Sequence, residues 1–202
     1  TTKFVQGTGM DAYIFAYGLA PEHPFPRGLN DAMAAYRLLL DKGYDPGKIV
    51  FIGDSAGGGL CLATMLAIKE KGLPMPVAAV AMSPWTDLAL TGKSYAENLQ
   101  TCLSPSGSAE HASKMYVGDN DPKNPLISPL YGDLSGLPPT FISVSDNEIL
   151  LDDSISFAEK AKKQAVAVTL QVGEGMCHCY PAFANMFKES KVTFDEICTF
   201  IK

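Results

Sequence analysis

Residues 48–60 read Lys-Ile-Val-Phe-Ile-Gly-Asp-Ser-Ala-Gly-Gly-Gly-Leu, an apolar run followed at once by a serine among glycines. The run 49–52 predicts a buried strand, and residues 60–71 predict a helix. Between them, residues 53–57 have the Gly-x-Ser-x-Gly form of a sharp strand-to-helix turn, which exposes the serine hydroxyl above the sheet. The N-terminus of the helix points N–H groups and its positive dipole end at the same spot. The pattern therefore predicts that Ser55 is the nucleophile of an acyl-transfer reaction.

Strand and helix alternate along the rest of the chain. Helices are predicted over 30–42, 60–71 and 152–164 and from Pro181 to the end, and strands over 12–17, 49–52, 77–82, 140–144 and 167–172. Strands separated by helices need crossover connections, so the sheet should be mostly parallel and covered on both faces. The predicted class is α/β.

The stretch 84–139 interrupts this alternation, because it is rich in Pro, Gly and Ser and carries one helix signal near 108–116. It is too long for an ordinary connection, so we expect an insertion that forms part of a lid. With 202 residues and 47% hydrophobic content, the chain 1–202 is expected to form a single domain around one core.

Charge and composition exclude several classes of partner. The net charge of −6 and the pI near 5.0 argue against nucleic acid and anionic membrane surfaces. We find no charged-then-apolar leader and no apolar run long enough to cross a bilayer. The five cysteines are an odd number in scattered positions, which favours reduced thiols in a cytoplasmic protein over a disulfide framework.

A serine hydroxyl needs a neighbouring base to take its proton, and the chain has three histidines. His23 lies in a proline-stiffened loop and His111 lies in the insertion. His178 follows the last predicted strand, and a parallel sheet would bring it to the same carboxyl edge as Ser55. His178 is the predicted base.

The acid that orients this histidine is expected on the loop after the strand 140–144, which follows from the usual chain order of serine, acid and histidine. Asp152 and Asp153 are typical of a helix start, where the dipole favours negative charge. Asp146 and Glu148 both lie on the loop itself. Periodicity does not separate these two carboxylates.

Several motifs resemble the hormone-sensitive-lipase family of α/β-hydrolase carboxylesterases. They extend over nearly the whole chain and comprise the blocks 17–26 (Tyr-Gly-Leu-Ala-Pro-Glu-His-Pro-Phe-Pro), 53–58, 83–87 (Ser-Pro-Trp-Thr-Asp), 128–130 and 148–153 and the final histidine. The resemblance implies an α/β-hydrolase fold. It also implies that the catalytic acid is Glu148, with Asp146 as the alternative, that Asp54 supports the nucleophile, and that the Ala56 N–H is an oxyanion donor.

One motif of that family is absent from this sequence. The His-Gly-Gly-Gly block that supplies most of the family's oxyanion hole does not occur. We therefore expect the first strands, the oxyanion loop and an N-terminal part of the lid to be missing, with Gly7 and Gly9 as weak candidates for replacement donors. An exposed sheet edge would follow, so we also expect a homo-oligomer that covers it.

Cys177 and Cys179 flank His178, which raises the question of a metal site. Adjacent residues of an extended loop point in opposite directions, so we expect no metal, and the inferred chemistry needs no cofactor. The sequence thus predicts a serine carboxylesterase acting on short-chain acyl esters. The alternatives are a catalytically impaired or truncated relative that binds small molecules, and an amidase or peptidase with the same triad.

Overall fold

A computed structural model describes residues 1–104 and 106–202; Pro105, inside the predicted insertion 84–139, lies outside the described residues. The centre is a four-stranded, fully parallel sheet in the order β1-β2-β3-β4. The strands are β1 (Val50–Asp54), β2 (Ala78–Met82), β3 (Thr140–Ser145) and β4 (Val168–Gly173). The predicted α/β class with a parallel sheet is confirmed.

Helices connect and cover the strands. They are α1 (Thr2–Thr8), α2 (Arg27–Asp41), α3 (Ala56–Glu70), α4 (Ser94–Glu97), α5 (Ser108–Val117), α6 (Leu151–Lys163) and α7 (Lys188–Ile201). Short 3-10 turns occur at Pro46–Lys48, Pro129–Tyr131 and Tyr180–Phe183.

The two central strands, β2 and β3, are buried along their whole length, as expected of parallel strands with helices on both faces. On one face, Ala79 and Ile142 pack against apolar side chains of α3 and α6. On the other face, Val80 and Phe141 pack against α7, with Phe4 of α1 beside them. This double burial fixes the carboxyl ends of the strands, from which the site loops emerge.

The prediction of a strand over 12–17 is wrong. No regular element forms there, and the side chains of Tyr13 and Ile14 are 52% and 69% exposed. An apolar run becomes a strand only when a neighbour takes its backbone hydrogen bonds and a layer covers its side chains. Within the described residues this run has neither, and β1 is an edge strand.

The chain ends also differ from the sequence-based expectation. Residues 2–8, for which no helix was predicted, form α1, and the rings of Phe4 and Phe194 pack with centroids 4.9 Å apart. Helix α2 begins at Arg27, three residues before the predicted start. The last helix was predicted from Pro181, but a 3-10 turn occupies Tyr180–Phe183 and α7 begins only at Lys188.

The segment 84–139 contains α4, α5 and the 3-10 turn at Pro129–Tyr131, and it is fastened to the core. Asp153 Oδ2, on α6, accepts the N–H groups of Thr86 and Asp87 at 2.8 and 2.7 Å. Leu88 and Val117 form a small buried cluster of their own with Ile127. Its function as part of a lid stays a prediction. Among the described helices, none has the length and apolar content to cross a membrane.

Candidate active site

Ser55 occupies a strained turn between β1 and α3. Its backbone has φ 53° and ψ −123°, a conformation that side-chain-bearing residues rarely adopt. Its N–H donates to the Met82 carbonyl at 2.8 Å, and its own carbonyl accepts the N–H groups of Gly59 and Trp85, each at 3.1 Å. These contacts hold the strained backbone, and they leave the side chain partly exposed above the sheet.

The glycines around Ser55 make this turn possible by allowing backbones to approach closely. A Cβ on Gly53 would lie 2.2 Å from the Gly57 carbonyl oxygen, and one on Gly59 would lie 2.0 Å from the Trp85 carbonyl oxygen. By contrast, a Cβ on Gly57 would meet only the hydroxyl of Tyr17, at 4.0 Å. Of the two glycines in the Gly-x-Ser-x-Gly pattern, Gly53 relieves a clash and Gly57 does not.

Glu148 and His178 are brought together from different strands. Glu148 follows β3, His178 follows β4, and the Glu148 Oε2 atom is hydrogen-bonded to His178 Nδ1. The Glu148 side chain is 1% exposed, and its other oxygen, Oε1, accepts the Ser83 hydroxyl and the Ser145 N–H, both at 2.7 Å. A buried carboxylate needs such donors to remain charged.

The carboxylate changes the proton affinity of the imidazole. Burial lowers the pKa of His178, but the neighbouring side chains of Cys179 and Glu148 raise it by more, the latter through its hydrogen bond with Nδ1, so the net shift is upward from the usual 6.5. Since Nδ1 faces Glu148, its proton is held there and Nε2 is left to exchange protons with other groups.

Asp146 has a different position from Glu148. Its Oδ1 accepts the Gly175 N–H at 2.8 Å, and its backbone carbonyl accepts the amide group of Asn98 at 2.8 Å. Among the described residues it makes no hydrogen bond with His178. Asp146 thus braces the loop that carries the histidine.

The histidine loop and the nucleophile turn meet at one backbone carbonyl. Met82 at the end of β2 accepts the Ser55 N–H at 2.8 Å and the Cys179 thiol at 3.7 Å. The residue next to His178 therefore lies against the same peptide group as Ser55. His23 and His111 are both exposed, and in the described chain neither is bonded to a carboxylate.

Two further residues named from the sequence flank Ser55. Ala56 is the first residue of α3, and its N–H has no acceptor among the described residues, as is usual at a helix N-terminus. Asp54 is exposed. Burial raises the pKa of the nearby Tyr17, and the charge of Asp54 raises it further, so this phenol stays protonated at neutral pH.

The glycines suggested as replacement oxyanion donors are engaged elsewhere. The Gly9 N–H donates to the Val5 carbonyl at 2.8 Å and closes α1. Gly7 lies within α1 against α7, where an added Cβ would be 2.6 Å from Cys198 Sγ. The suggestion that Gly7 and Gly9 act as replacement oxyanion donors is therefore wrong.

Cys177 and Cys179 remain free thiols, the second of them buried. Cys179 has φ 54°, and its thiol turns towards the Met82 carbonyl. Within the described part of the chain, no group of three or more His, Cys, Asp or Glu side chains is placed to hold a metal ion.

Sequence reasoning gave no role to two polar side chains that support the acid loop. Ser83 Oγ donates to Glu148 Oε1. Asn98, just after α4, donates to the carbonyls of Asp146 and Glu148 at 2.8 and 2.9 Å. The only sequence signal for Ser83 was its place in the block 83–87, and Asn98 had none, because its partners lie about fifty residues away along the chain.

The parallel sheet and its helices are those of an α/β hydrolase. Residues 1–182 match the sequence pattern of the α/β hydrolase fold family, and the chain belongs to that family. The resemblance to its hormone-sensitive-lipase branch is confirmed by solved structures of a hormone-sensitive lipase from a metagenome library and of the homologue EstE7, also from a metagenome library. Both have a TM-score of 0.95 and are 40% identical to this chain. Each alignment covers 99% of this chain, and the two cover 68% and 69% of the respective solved chains.

Curated relatives carry related names. An acetyl-hydrolase of Streptomyces hygroscopicus is 37% identical over 92% of this chain. An esterase of Acinetobacter venetianus is 38% identical over 98% of it. The chain spans 62% and 66% of the lengths of these two proteins.

Proposed function

We propose that this protein is a serine carboxylesterase that hydrolyses short-chain acyl esters through an acyl-enzyme. The observation that carries the proposal is the contact of a buried carboxylate, Glu148, with Nδ1 of His178, on a loop that shares the Met82 carbonyl with Ser55. A strained serine at a strand-to-helix turn and an oriented imidazole are the two parts that acyl transfer requires.

In the proposed reaction, Ser55 Oγ attacks the ester carbonyl while His178 Nε2 takes its proton. The imidazolium is stabilised by the Glu148 carboxylate and then gives the proton to the leaving alcohol. Water, deprotonated by the same imidazole, attacks the acyl-enzyme. The proton then returns to Ser55 Oγ as the acid leaves. Every proton is carried by the chain's own residues, so the cycle uses no cofactor.

The negative charge that develops on the carbonyl oxygen needs donors. The Ala56 N–H, free at the start of α3, is the proposed oxyanion donor. A typical oxyanion hole has more than one donor, and removal of one costs about 10²–10³ in turnover. We therefore expect this chain by itself to be a slow esterase.

The proposed substrates are small neutral esters with short acyl groups. This rests on the names of relatives, among them an acetyl-hydrolase, and on the structure of EstE5, 39% identical, which was soaked with p-nitrophenyl butyrate. The acidic net charge of −6 is compatible with neutral substrates. We place the protein in the cytoplasm because its five cysteines are all free thiols. Recovery of the protein only from the secreted fraction of its cells would refute this.

The second candidate is a binding protein that retains the triad without turnover. Residues 1–202 contain no His-Gly-Gly-Gly motif, so these residues by themselves would be suited to binding an ester without rapid turnover. Such a protein would bind an unreactive ester analogue tightly and would hydrolyse the ester no faster than a triad variant.

Hydrolysis of p-nitrophenyl esters from acetate to palmitate separates the two candidates. The esterase proposal expects the highest kcat/KM on acetate or butyrate, with loss of activity in Ser55→Ala, His178→Ala and Glu148→Gln alike. Equal rates in wild type and all three variants, together with saturable binding of an ester analogue, would support the binding protein. Glu174→Gln serves as the matched control, because it makes the same chemical change as Glu148→Gln at an exposed carboxylate outside the triad.

A further inference from the structure

Ser83 is a buried residue at the point where the loops of the acid and the histidine meet. Ser83 directly follows β2, is 1% exposed, and has a backbone φ of 46°. Its N–H donates to the Ser143 carbonyl at 2.6 Å, which ties it to β3. The backbone of Ser83 is thus fixed in a strained conformation at the carboxyl end of the two central strands.

The hydroxyl of Ser83 makes two hydrogen bonds whose directions are determined by chemistry. The Cys179 N–H can only donate, so at 3.0 Å it gives its proton to Ser83 Oγ. The hydroxyl hydrogen is then available for Glu148 Oε1, at 2.7 Å. One side chain therefore joins the residue after His178 to the carboxylate that His178 faces.

We propose that Ser83 is a positioning residue of the esterase site. Its hydroxyl holds the Glu148 carboxylate in place against the imidazole of His178 by binding both the carboxylate and the loop that carries the histidine. The inference rests on the proposed function but assigns a role to a residue outside the triad. It acts through Glu148 and not on the substrate.

The role follows from what each partner would lose without the hydroxyl. Glu148 Oε1 would keep only the Ser145 N–H, and the carboxylate could turn about its last torsion away from the imidazole. The Cys179 N–H would be buried without an acceptor, which is unfavourable and would loosen the loop that carries His178. Both changes misplace the same pair of atoms, Glu148 Oε2 and His178 Nδ1.

Ser83→Ala and Ser83→Gly test this role, because the first keeps the Cβ and the second also removes the strain of a positive φ. Removal of the outer hydrogen-bond partners of metal-bound histidines typically changes activity 10- to 100-fold, and we expect an effect of similar size for this histidine. We expect kcat for p-nitrophenyl butyrate to fall by roughly that factor in both variants with KM within about twofold of wild type. The Nδ1–H proton signal of His178, protected in wild type by Glu148, should broaden in both through exchange with water.

Ser143→Ala is the matched control. Ser143 is also a fully buried serine beside Met82 in the sheet, but its hydroxyl has no hydrogen-bond partner among the described residues. This variant should keep both kcat and the sharp Nδ1–H signal.

Wild-type kcat and a sharp signal in both Ser83 variants would overturn the role, and so would an equal loss of kcat in Ser143→Ala. If wild type shows no hydrolysis that depends on Ser55, the proposed function fails. The Nδ1–H signal then decides the role of Ser83 separately.

Discussion

Gly53 and Gly57 lie so close together that a Cβ on the first would be 2.2 Å from the carbonyl oxygen of the second. Real Cβ atoms essentially never come within 3.0 Å of such an atom. Gly53→Ala must therefore displace the first turn of α3 relative to β1. We expect a loss of at least about 2 kcal/mol in the free energy of unfolding, measured by urea denaturation, and loss of esterase activity.

Gly57→Ala is the matched control for this prediction. Its Cβ would meet only the Tyr17 hydroxyl, at 4.0 Å, and alanine is favoured over glycine in a helix by up to about 1 kcal/mol. The unfolding free energy should stay equal or rise. Equal destabilisation by both substitutions would contradict the steric account of this turn.

Glu148 and Asp146 can be distinguished as the catalytic acid by isosteric amides. Glu148→Gln places an amide against His178 Nδ1, which favours the wrong tautomer, and we expect kcat to fall by about 10⁴-fold, as for the equivalent change in other triads. Asp146→Asn keeps an oxygen for the Gly175 N–H and should keep activity within about tenfold. The reverse order in steady-state kinetics would make Asp146 the acid.

The raised pKa of His178 predicts an activity that increases at alkaline pH. The neutral imidazole is the form that takes the serine proton, so the acidic limb of kcat/KM should lie above the usual 6.5. The pairing with Glu148 also stabilises the fold most below pH 6.5, and this contribution is lost as the pH rises through the folded-state pKa. A limb below pH 6.5, or an NMR titration of His178 there, would be incompatible with the observed contact.

Asp153 predicts a second pH effect, on stability. Burial raises its pKa to about 7, although the N–H groups of Asp87 and Thr86 lower it in part. Because the folded-state pKa is above the usual 3.8, stability should decrease as the pH rises from about 4 to about 7. Asp153→Asn should remove most of this slope, roughly 2–3 kcal/mol between pH 5 and pH 8, in urea titrations of both proteins. Parallel slopes in the two proteins would show that Asp153 is ionised throughout.

The exposed apolar side chains predict self-association. Tyr13 and Ile14 lie in the irregular run 12–17, and Ile52 lies on β1, an edge strand of the described sheet; all three are between 41% and 69% exposed. An open strand edge pairs readily. We expect light scattering at micromolar concentration to report an oligomer, and Ile14→Lys with Ile52→Lys to reduce it. Val192→Lys, at another 49% exposed apolar position, is the control. A monodisperse monomer at this concentration would contradict the prediction of self-association.

The sequence was informative where a local pattern and its tertiary setting agree. Every end of the strands β1 to β4 was predicted to within two residues. Continuous apolar runs between helices are characteristic of parallel strands. The run 12–17 has the same composition but remains irregular. Composition does not specify whether a neighbouring strand exists to receive its hydrogen bonds.

The candidate site was inferred from the same kind of local pattern, and the roles of its residues stay predictions. Ser55 followed from its turn, and His178 followed from its place after the last strand. Choosing Glu148 over Asp146 required the family resemblance, since both carboxylates lie on one loop. Ser83 received no role because its partners, Glu148 and Cys179, are 65 and 96 residues away in sequence.

The central claim is that Ser55 is acylated during turnover. The most direct measurement is peptide mapping by mass spectrometry after p-nitrophenyl butyrate is mixed with the protein and quenched in acid within the first turnover. The account predicts a butyryl group on the peptide that contains Ser55, absent from Ser55→Ala and from protein unfolded before mixing. A butyryl group on Cys177 or another side chain instead, or hydrolysis that persists in Ser55→Ala, would contradict it.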